Sequence, residues 1–553
     1  MPKLNRELGK VIERLDTLTQ TIDNIQSFLF SSSTPVSGGN SARRPLERPL
    51  ELPVDDAEPY KDYLQIPSCR GSADTVLTWP IFRGLFRESA LITTLFQSSR
   101  EAENSAIETW VVPDGFHPTN EERIPSLVDQ FIQNVHTKNP ILNLEALVRS
   151  GRQAAEFGLG WDAQSCLVAC HFFAGVYLMY TFRPLAAWNH FYQASTFYRL
   201  RLRMIDGLRI DDDLSTDEPV QRGTFVSRHM EQSLYWSCFK SEVEIRVELP
   251  LPQSAIAEYE YPDLFPTPPN LSEDYPEGGS QGTGWSAPWN SSRLANGSHL
   301  NQAQTSFEVR NHILQLFDED QSWYYYLTEV ALRRIGNRVL NAFYRRGPCM
   351  WSSIKPLIPL ALEFESQINA WSANLPPAMR YYEDNASPGQ TRNGFPDTQD
   401  SISLELSWAI ANRLLEIRLW LYQPFLYFGI HHPIGAGHRA GGTQSSSFTN
   451  EELATISALV KSGLNCTVKI LEARCLRHRH HGIWFDLRAL VTSSLIVIAA
   501  MRSGNLDVPG IDRRVGLKDH FDGTLEALTY WEDEAPDIKK ARRVLEDLLT
   551  EAS

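Results

Sequence analysis

Three histidines near residue 480 are the residues whose type and spacing most readily suggest chemistry. His478, His480 and His481 carry imidazole nitrogens that can bind a metal ion. We find no carboxylate or thiol at ligand spacing beside them, and arginines lie among them. We therefore interpret the segment as a basic connection between two helices, where positive charge at a helix terminus is favourable.

Two glycine-rich segments resemble catalytic or nucleotide-binding motifs. Residues 278–282 (GGSQG) fit the serine hydrolase elbow, and residues 435–440 (GAGHRA) resemble a dinucleotide-binding turn. Both motifs need a preceding β-strand, because the turn from strand to helix exposes the serine or presents backbone amides to a phosphate. The first lies in a loop rich in Gly and Ser and the second follows a helical pattern, so we interpret both as loops.

Two charged clusters have simpler explanations than a binding site. Asp211–Asp213 could hold magnesium, but a solvated turn is the default interpretation. A basic cluster near the C-terminus resembles a nuclear-import signal, but it shares a predicted helix with acidic residues, which favours a solvated helix face. Because no nucleophile, base and oxyanion hole come together, we do not expect an enzyme. The basic cluster is Lys539, Lys540, Arg542 and Arg543.

Helical periodicity dominates the chain between its loops. Apolar residues recur at helical spacing after Ser126, which we expect to cap its helix, and along Met230–Leu249, which ends at Pro250. The pattern returns at Leu327–Leu340 and Phe364–Trp371. No segment shows the strict alternation of a β-strand between hairpin turns. The sequence therefore predicts an all-α fold.

A heptad repeat occupies the start of the chain. Its apolar positions are separated alternately by four and three residues, which favours the narrow seam of a coiled coil over a helix docked on its own domain. So short a coiled coil makes a weak dimer, and a contribution from the rest of the chain is left open. The predicted dimerisation residues are Leu4, Leu8, Val11, Leu15, Leu18, Ile22, Ile25 and Leu29.

Composition divides the chain into three parts. Residues 1–30 form the predicted coiled-coil helix, and residues 31–60, rich in Ser, Pro and Gly, form a disordered linker. Residues 61–553 form a large helical domain with a disordered insertion at 271–305. Two helical sub-domains separated at that insertion are the alternative organisation.

Charge and cysteine content limit the class of protein. The net charge is −15, and the acidic excess lies beyond residue 45, so the large domain repels phosphate and should not bind nucleic acid by itself. Seven scattered cysteines indicate a reducing compartment. The polar N-terminus does not resemble a signal peptide, and the apolar run Leu490–Met501 is short for a membrane span. We expect a soluble intracellular protein without a membrane contact.

A series of motif-like segments follows one order between about residues 74 and 502. The segments are 76–82 (VLTWPIF), 131–142 (FIQNVHTKNPIL), 175–194 (GVYLMYTFRPLAAWNHFYQA), 234–249 (LYWSCFKSEVEIRVEL) followed by Tyr261-Pro262 and Phe265-Pro266, 323–337 (WYYYLTEVALRRIGN), 363–376 and 418–427. Each motif alone is weak, and the fourth is the most specific. In this order they resemble the fungal-specific transcription factor domain, the regulatory domain of the six-cysteine binuclear zinc-cluster transcription factors.

The resemblance implies an arrangement of parts. Family members typically carry a zinc cluster that inserts into DNA, a linker, a short dimerising coiled coil, a tether and then this helical domain. The cluster holds two zinc ions in two Cys-x2-Cys-x6-Cys halves, a spacing absent from this sequence. We therefore assign no zinc ligand and no DNA-binding residue, and expect no cofactor in this chain. Cys166 and Cys170 lie inside an apolar helix and are expected in its core.

The motif residues are expected to be structural. Trp236, Phe239 and Ile245 are predicted to lie in the core instead of a ligand pocket. The family's domain is implicated in regulating activity, sometimes by metabolite sensing, but the sequence assigns no pocket. Charged residues of the same segment are expected at a helix surface or in ion pairs: Glu242, Glu244, Arg246 and Glu248.

The resemblance predicts a nuclear regulator of RNA polymerase II-dependent transcription, controlling a metabolic or secondary-metabolite gene set. It would form a homo- or heterodimer through residues 4–29 and contact the transcription machinery through its helical domain. It would reach promoter DNA only through a zinc cluster missing from this sequence or through a partner. The alternatives are a co-regulator deficient in DNA binding, a dominant-negative dimer partner, and a ligand-binding or scaffold protein without a transcriptional role.

Disruption of the heptad seam tests the predicted coiled coil. Leu15→Pro breaks the helix in its middle, and the double change Leu15→Asp with Leu18→Asp places charge on the seam. We expect either change to abolish self-association of a fragment spanning residues 1–35, measured by analytical ultracentrifugation. A fragment that stays dimeric would exclude the coiled coil.

Overall fold

The computed structural model of the protein consists of helices and their connections, with no β-strand among the residues that it describes. The residues described are 71–85, 91–96, 123–157, 167–212, 228–254, 256–258, 299–316, 318–345, 347–376, 379, 400–433, 448–473, 477–511 and 520–551. The predicted all-α class is confirmed. The predicted dimerisation residues and the linker 31–60 lie outside the described residues.

The α-helices are numbered here along the described part of the chain. They are α1 (Ala73–Leu77), α2 (Ile124–Phe131), α3 (Leu144–Phe157), α4 (Leu167–Tyr180), α5 (Pro184–Asp212), α6 (Arg228–Glu248), α7 (His299–Leu316), α8 (Glu319–Tyr344), α9 (Ile358–Ala373), α10 (Asp400–His431), α11 (Asn450–Ala473), α12 (Ile483–Ser503), α13 (Asp522–Trp531) and α14 (Pro536–Glu551). All of them belong to one compact unit that spans residues 58–553.

Local signals explain several helix ends. α6 ends at Glu248, two residues before Pro250, close to the predicted end, because proline has no N–H to donate to the helix and its ring crowds the preceding turn. α12 ends at Gly504, whose φ of 68° is the left-handed conformation that glycine adopts without strain. The predicted cap at Ser126 is wrong: α2 begins at Ile124, with a proline in its first turn where a missing N–H costs no helical hydrogen bond.

The predicted disordered insertion at 271–305 overlaps a helix. α7 begins at His299, so the last part of the predicted insertion is helical, while residues 271–298 lie outside the described residues. α7 packs on α2 and α3 in a small apolar cluster beside the main core, built by Ile132, Leu144, Val148, Val309 and Ile313.

The long helix α10 continues through Pro424, and a tyrosine of α8 compensates for it. Proline has no N–H, so the carbonyl of Trp420 loses its usual partner four residues along the helix. The hydroxyl of Tyr344 donates a hydrogen bond of 2.9 Å to that carbonyl. This hydrogen bond holds α8 against α10 at the point where Pro424 interrupts the backbone hydrogen bonds of α10.

The helix α12 is the most completely buried element of the described residues. Its residues from Ile483 to Ala500 are buried, and α1, α10, α11, α13 and α14 pack around it. By length and composition α12 could cross a membrane, yet all of its apolar window is buried inside the protein. We therefore interpret α12 as the central core helix. It is longer than the apolar run Leu490–Met501 that the sequence shows.

One buried arginine on α12 joins three distant parts of the chain. Arg488 is 1% exposed; its Nη2 lies 2.9 Å from Oδ2 of Asp74, and its Nε lies 2.8 Å from Oε2 of Glu248. Its Nη1 lies 3.9 Å from Oδ2 of Asp537, which also accepts a 3.0 Å hydrogen bond from the indole of Trp484. α1, α6 and α14 are thereby tied to α12.

The same cluster sets the protonation of its members. Burial raises the pKa of Glu248 and of Asp537, although Arg488 acts in the opposite direction on both. Burial by itself disfavours the charged guanidinium, but the carboxylates more than offset it and raise the pKa of Arg488 above its ordinary value. The arginine therefore stays charged in the core.

Removal of Arg488 should destabilise the fold strongly. We expect Arg488→Met to lower the free energy of unfolding by about 3–5 kcal/mol at pH 8, because the buried carboxylates lose their counter-ion. The loss should be smaller at pH 5, because without Arg488, which lowers the pKa of Glu248 and Asp537, these buried carboxyl groups take up protons more readily than in the unmodified protein. Denaturant unfolding at the two pH values measures both effects.

A matched change on the same helix provides the control. Arg502 is exposed near the end of α12, so Arg502→Met should change the unfolding free energy by less than about 0.5 kcal/mol. Equal stability of Arg488→Met and the unmodified protein at pH 8 would contradict the assigned role.

Candidate functional site

The histidine segment lies beside carboxylates that the sequence pattern did not place near it. Residues 477–480 connect α11 to α12, as predicted. Nε2 of His478 lies 3.3 Å from Oε1 of Glu405 on α10, and Nε2 of His480 lies 3.2 Å from Oδ2 of Asp486 on α12. The sequence has no carboxylate at ligand spacing beside these histidines, and Glu405 comes close to His478 only because the fold brings α10 to this segment. Among the described residues, no group of three or more His, Cys, Asp or Glu side chains is arranged to hold a metal ion.

Lys138 forms a buried ion pair with the same glutamate. Its Nζ donates a hydrogen bond of 2.5 Å to Oε1 of Glu405. Burial opposes ionisation of Glu405, but Lys138 and His478 more than offset it, so the pKa of this carboxyl lies well below its ordinary value. Burial likewise opposes the charge of Lys138, and Glu405 raises the lysine pKa above its ordinary value. Both partners are ionised at neutral pH.

The turn that carries Lys138 is anchored by its neighbours. After α2 the backbone makes a single π-helical turn, Ile132–His136. The hydroxyl of Thr137 donates to the carbonyl of Ile132 at 3.0 Å, and Ser322 on α8 donates to the carbonyl of Thr137 at 2.7 Å. These bonds satisfy buried backbone groups and hold Lys138 and Asn139 inside the protein.

Lys240 on α6 is a second buried lysine with a different environment. It is 4% exposed, and no described residue forms a hydrogen bond with it or places a carboxylate oxygen within 4.0 Å of its Nζ. Nζ lies 5.6 Å from the centre of the Tyr326 ring. Burial lowers the pKa of Lys240 to about 8; Glu329 acts against this shift, while the cations Arg413, Arg333 and Lys138 add to it.

Two arginines beside Lys240 are occupied by one glutamate. Nη2 of Arg333 on α8 lies 3.1 Å from Oε1 of Glu244, and Arg413 on α10 donates a hydrogen bond to the same oxygen. Arg413 also donates to Glu416 at 2.8 Å. Nε and Nη2 of Arg333 make no hydrogen bond of acceptable geometry within the described part of the chain. The charge of Glu244 is thus neutralised, and the cluster retains donors without acceptors.

A small cavity lies next to these charges, where α4, α5, α6 and α12 approach one another. Its volume is about 20 Å³, which is enough for about one water molecule. Polar and apolar residues both line the cavity. The polar ones are Asn139, Lys240, Ser241, Glu244 and His481, and the apolar ones are Val176, Met179, Phe191, Ile245 and Phe485.

The imidazole of His481 at this cavity is held neutral. Burial and the nearby charges of Lys138 and Lys240 lower its pKa well below the ordinary histidine value. The His481 side chain keeps some exposure, as does Ser241. The cavity therefore offers a cationic amine, a neutral imidazole and a hydroxyl group, a set suited to binding an anionic group.

The structure places the motif residues only partly as predicted. Trp236, Phe239 and Ile245 are buried in the core, as predicted, and Ile245 also lines the cavity. The expected surface position of Glu242 is wrong, because it is 2% exposed and accepts a 2.6 Å hydrogen bond from the hydroxyl of Ser254. The ion-pair alternative is confirmed for Glu244 and Glu248.

Cys170 differs from its prediction. It is exposed on α4, whereas Cys166 lies outside the described residues. α4 is apolar on nearly all sides, so its periodicity does not show which face is outward. Tyr177, seven residues further on the same face, is 66% exposed.

The other candidate motifs contribute no described site. Residues 278–282 and 435–440 lie outside the described residues. Asp211 and Asp212 end helix α5, so the prediction of a turn at these two residues is wrong, and Asp213 lies outside the described residues. Arg542 on α14 pairs with Glu532 and Glu546, as expected of a charged helix face.

The comparisons with known proteins give no relative. No family model, no curated protein and no solved structure matches this chain.

The two buried lysines should respond oppositely to the same substitution. Lys240→Met should raise the free energy of unfolding by about 1–3 kcal/mol at pH 7, because the folded protein no longer carries a poorly paired buried charge. Lys138→Met should lower it by about 3–5 kcal/mol, because Glu405 loses its counter-ion. Denaturant unfolding of both variants and of the unmodified protein shows whether each substitution raises or lowers the free energy of unfolding.

The advantage of Lys240→Met should also depend on pH. The folded pKa of Lys240, about 8, lies below the ordinary value of 10.5, so the unmodified protein gains stability as pH rises between these values. The difference between variant and unmodified protein should therefore shrink over this range. A difference that is constant from pH 7 to pH 10 would contradict the assigned titration.

Proposed function

We propose that this protein is a nuclear transcription regulator of the type that its sequence resembles, controlling a metabolic or secondary-metabolite gene set. One observation carries the proposal: segments that resemble the family and lie far apart in sequence supply residues to one hydrophobic core. Val76, Phe191, Trp236, Tyr326 and Trp420 each come from a different segment and share that core. Motifs that are packing partners support a resemblance of fold more strongly than motifs scattered over a surface.

The proposal assigns the protein a regulatory role without a DNA contact of its own. The net charge of −15 opposes binding to phosphate, so promoter DNA would be reached through a zinc cluster or through a dimer partner. Dimerisation would use the heptad residues 4–29. The helical domain would supply the contacts to the transcription machinery.

Tethering the protein to a promoter tests this role. The full chain, fused to an unrelated DNA-binding domain, is recruited upstream of a weak reporter promoter and, separately, of a strong one. We expect a several-fold change of expression from one of the two promoters, relative to the DNA-binding domain alone. The Arg488→Met fusion should lose the effect, because its helical domain is destabilised.

Unchanged expression from both promoters, with the fusion present in the nucleus, would contradict the proposal. The same experiment separates the co-regulator and dominant-negative alternatives. A dominant-negative partner should leave the tethered reporter unchanged and lower expression of genes that depend on its dimer partner. A co-regulator should act when tethered.

A ligand-binding protein without a transcriptional role is the second candidate, and the cavity beside Lys240 favours it. This candidate predicts that a fluorescent fusion stays in the cytoplasm under all growth conditions. Nuclear accumulation under any growth condition would weigh against it.

A further inference from the structure

Two histidines on neighbouring helices face each other at the surface of the helical domain. Nδ1 of His171 on α4 lies 3.0 Å from Nδ1 of His190 on α5. The centres of the two rings are 5.1 Å apart, and both side chains are half-buried. The two ring nitrogens that approach each other are thus within reach of an ion from solvent.

At this distance the two nitrogens can share a proton or bind one metal ion. Without an ion, one imidazole donates an N–H···N hydrogen bond to the other. Bonds from zinc to imidazole are about 2.0–2.1 Å long, so two nitrogens held by one ion at angles of about 90–109° are about 2.9–3.4 Å apart. The observed separation of 3.0 Å lies in that range.

Binding of an ion requires only small changes in the pair. The side-chain torsion that turns a histidine ring is broad, so each ring can rotate to direct its nitrogen at a common point. The proton of the hydrogen bond moves to Nε2 of the donor ring, which is the other ordinary tautomer of a neutral imidazole. No proton has to leave the protein.

The packing of α4 against α5 holds the two rings together. Gly175 lies one turn along α4 from His171, and a Cβ there would come 2.5 Å from Cε1 of Phe191. The glycine therefore permits the close approach of the two helices beside the pair. The ring of Phe197 lies 5.6 Å from that of His171 and limits its movement. A pair held on two packed helices loses little conformational freedom when an ion binds.

The surroundings of the pair suit a ligand set of two neutral imidazoles. Burial lowers the pKa of both histidines, and His190 adds to the shift at His171. Neutral imidazole is the form that binds a metal ion. Since the described part of the chain groups no third His, Cys, Asp or Glu with them, water would fill the remaining positions.

We propose that His171 and His190 together bind a divalent transition-metal ion reversibly, with water completing its coordination. Imidazole nitrogens suit Zn²⁺, Cu²⁺ and Ni²⁺, whereas Mg²⁺ and Ca²⁺ prefer oxygen ligands. Two protein ligands hold an ion less tightly than the four of a structural zinc site, so the ion exchanges and the fold does not depend on it. The site goes beyond the proposed transcriptional role and does not depend on it.

Zn²⁺ is the probe for the test, and the purified full chain is the sample. Isothermal titration calorimetry at pH 7.5 should show saturable binding of Zn²⁺, whereas Mg²⁺ at equal concentration should not reduce it. His171→Gln and His190→Gln each remove one ligand and keep a side chain that can hydrogen-bond to the remaining ring. Each should weaken this binding about tenfold or more, the loss that removal even of a supporting partner causes at metal sites.

Two further variants serve as controls. His432→Gln changes an exposed histidine directly after α10. Cys170→Ser removes the exposed thiol next to His171 on α4. Both variants should bind Zn²⁺ as the unmodified protein does, because neither touches the proposed ligands. Circular dichroism of all four variants checks that they fold.

Three results would overturn the proposal: no saturable Zn²⁺ binding to the unmodified protein, equal binding to His171→Gln, or the same loss of binding in either control variant. The first two would leave the histidine pair as a hydrogen bond only. None of these readouts involves transcription, so failure of this proposal and failure of the proposed function are distinguishable.

Discussion

Charge buried in a helical core is the constraint on which this structure depends. A guanidinium inside the protein is tolerated only when carboxylates surround it, and Arg488 obtains them from Asp74, Glu248 and Asp537. The arginine ties α1, α6 and α14 to the central helix α12, because Asp74 and Glu248 accept its hydrogen bonds and Asp537 lies within 3.9 Å of Nη1.

A second buried ionic cluster follows the same rule but is incomplete. Lys138 is paired with Glu405, Arg333 and Arg413 share Glu244, and Arg413 also pairs with Glu416. Lys240 has no such partner among the described residues, and burial lowers its pKa to about 8. A folded protein that keeps a poorly paired charge loses stability, which is typical of sites that serve binding instead of folding.

The sequence predicts the helices well and their partners poorly. α6 and its end at Pro250 follow from local chemistry, since apolar spacing and a missing N–H are properties of adjacent residues. The cap at Ser126 was wrong because a proline in the first turn started α2 earlier. The pairing of Lys138 with Glu405 could not be predicted, because it joins segments far apart in sequence.

The candidate site shows the same limit. Lys240 carried one weak signal, since it closely follows the aromatic residues Tyr235, Trp236 and Phe239, but a lysine in such a helix is more often at the surface. His481 was recognised as a candidate only as a metal ligand, and its place at a mixed polar and apolar cavity depends on the packing of α6 against α12.

Genome-wide chromatin occupancy of the protein in living cells tests most directly the central proposal, that the protein regulates transcription. A tagged copy at its native locus is crosslinked, immunoprecipitated and sequenced beside an untagged strain. The account predicts discrete enrichment at a limited set of promoters, with changed transcript levels of the neighbouring genes when the protein is removed. Uniform background at all promoters, together with an unchanged transcriptome on removal, would contradict it.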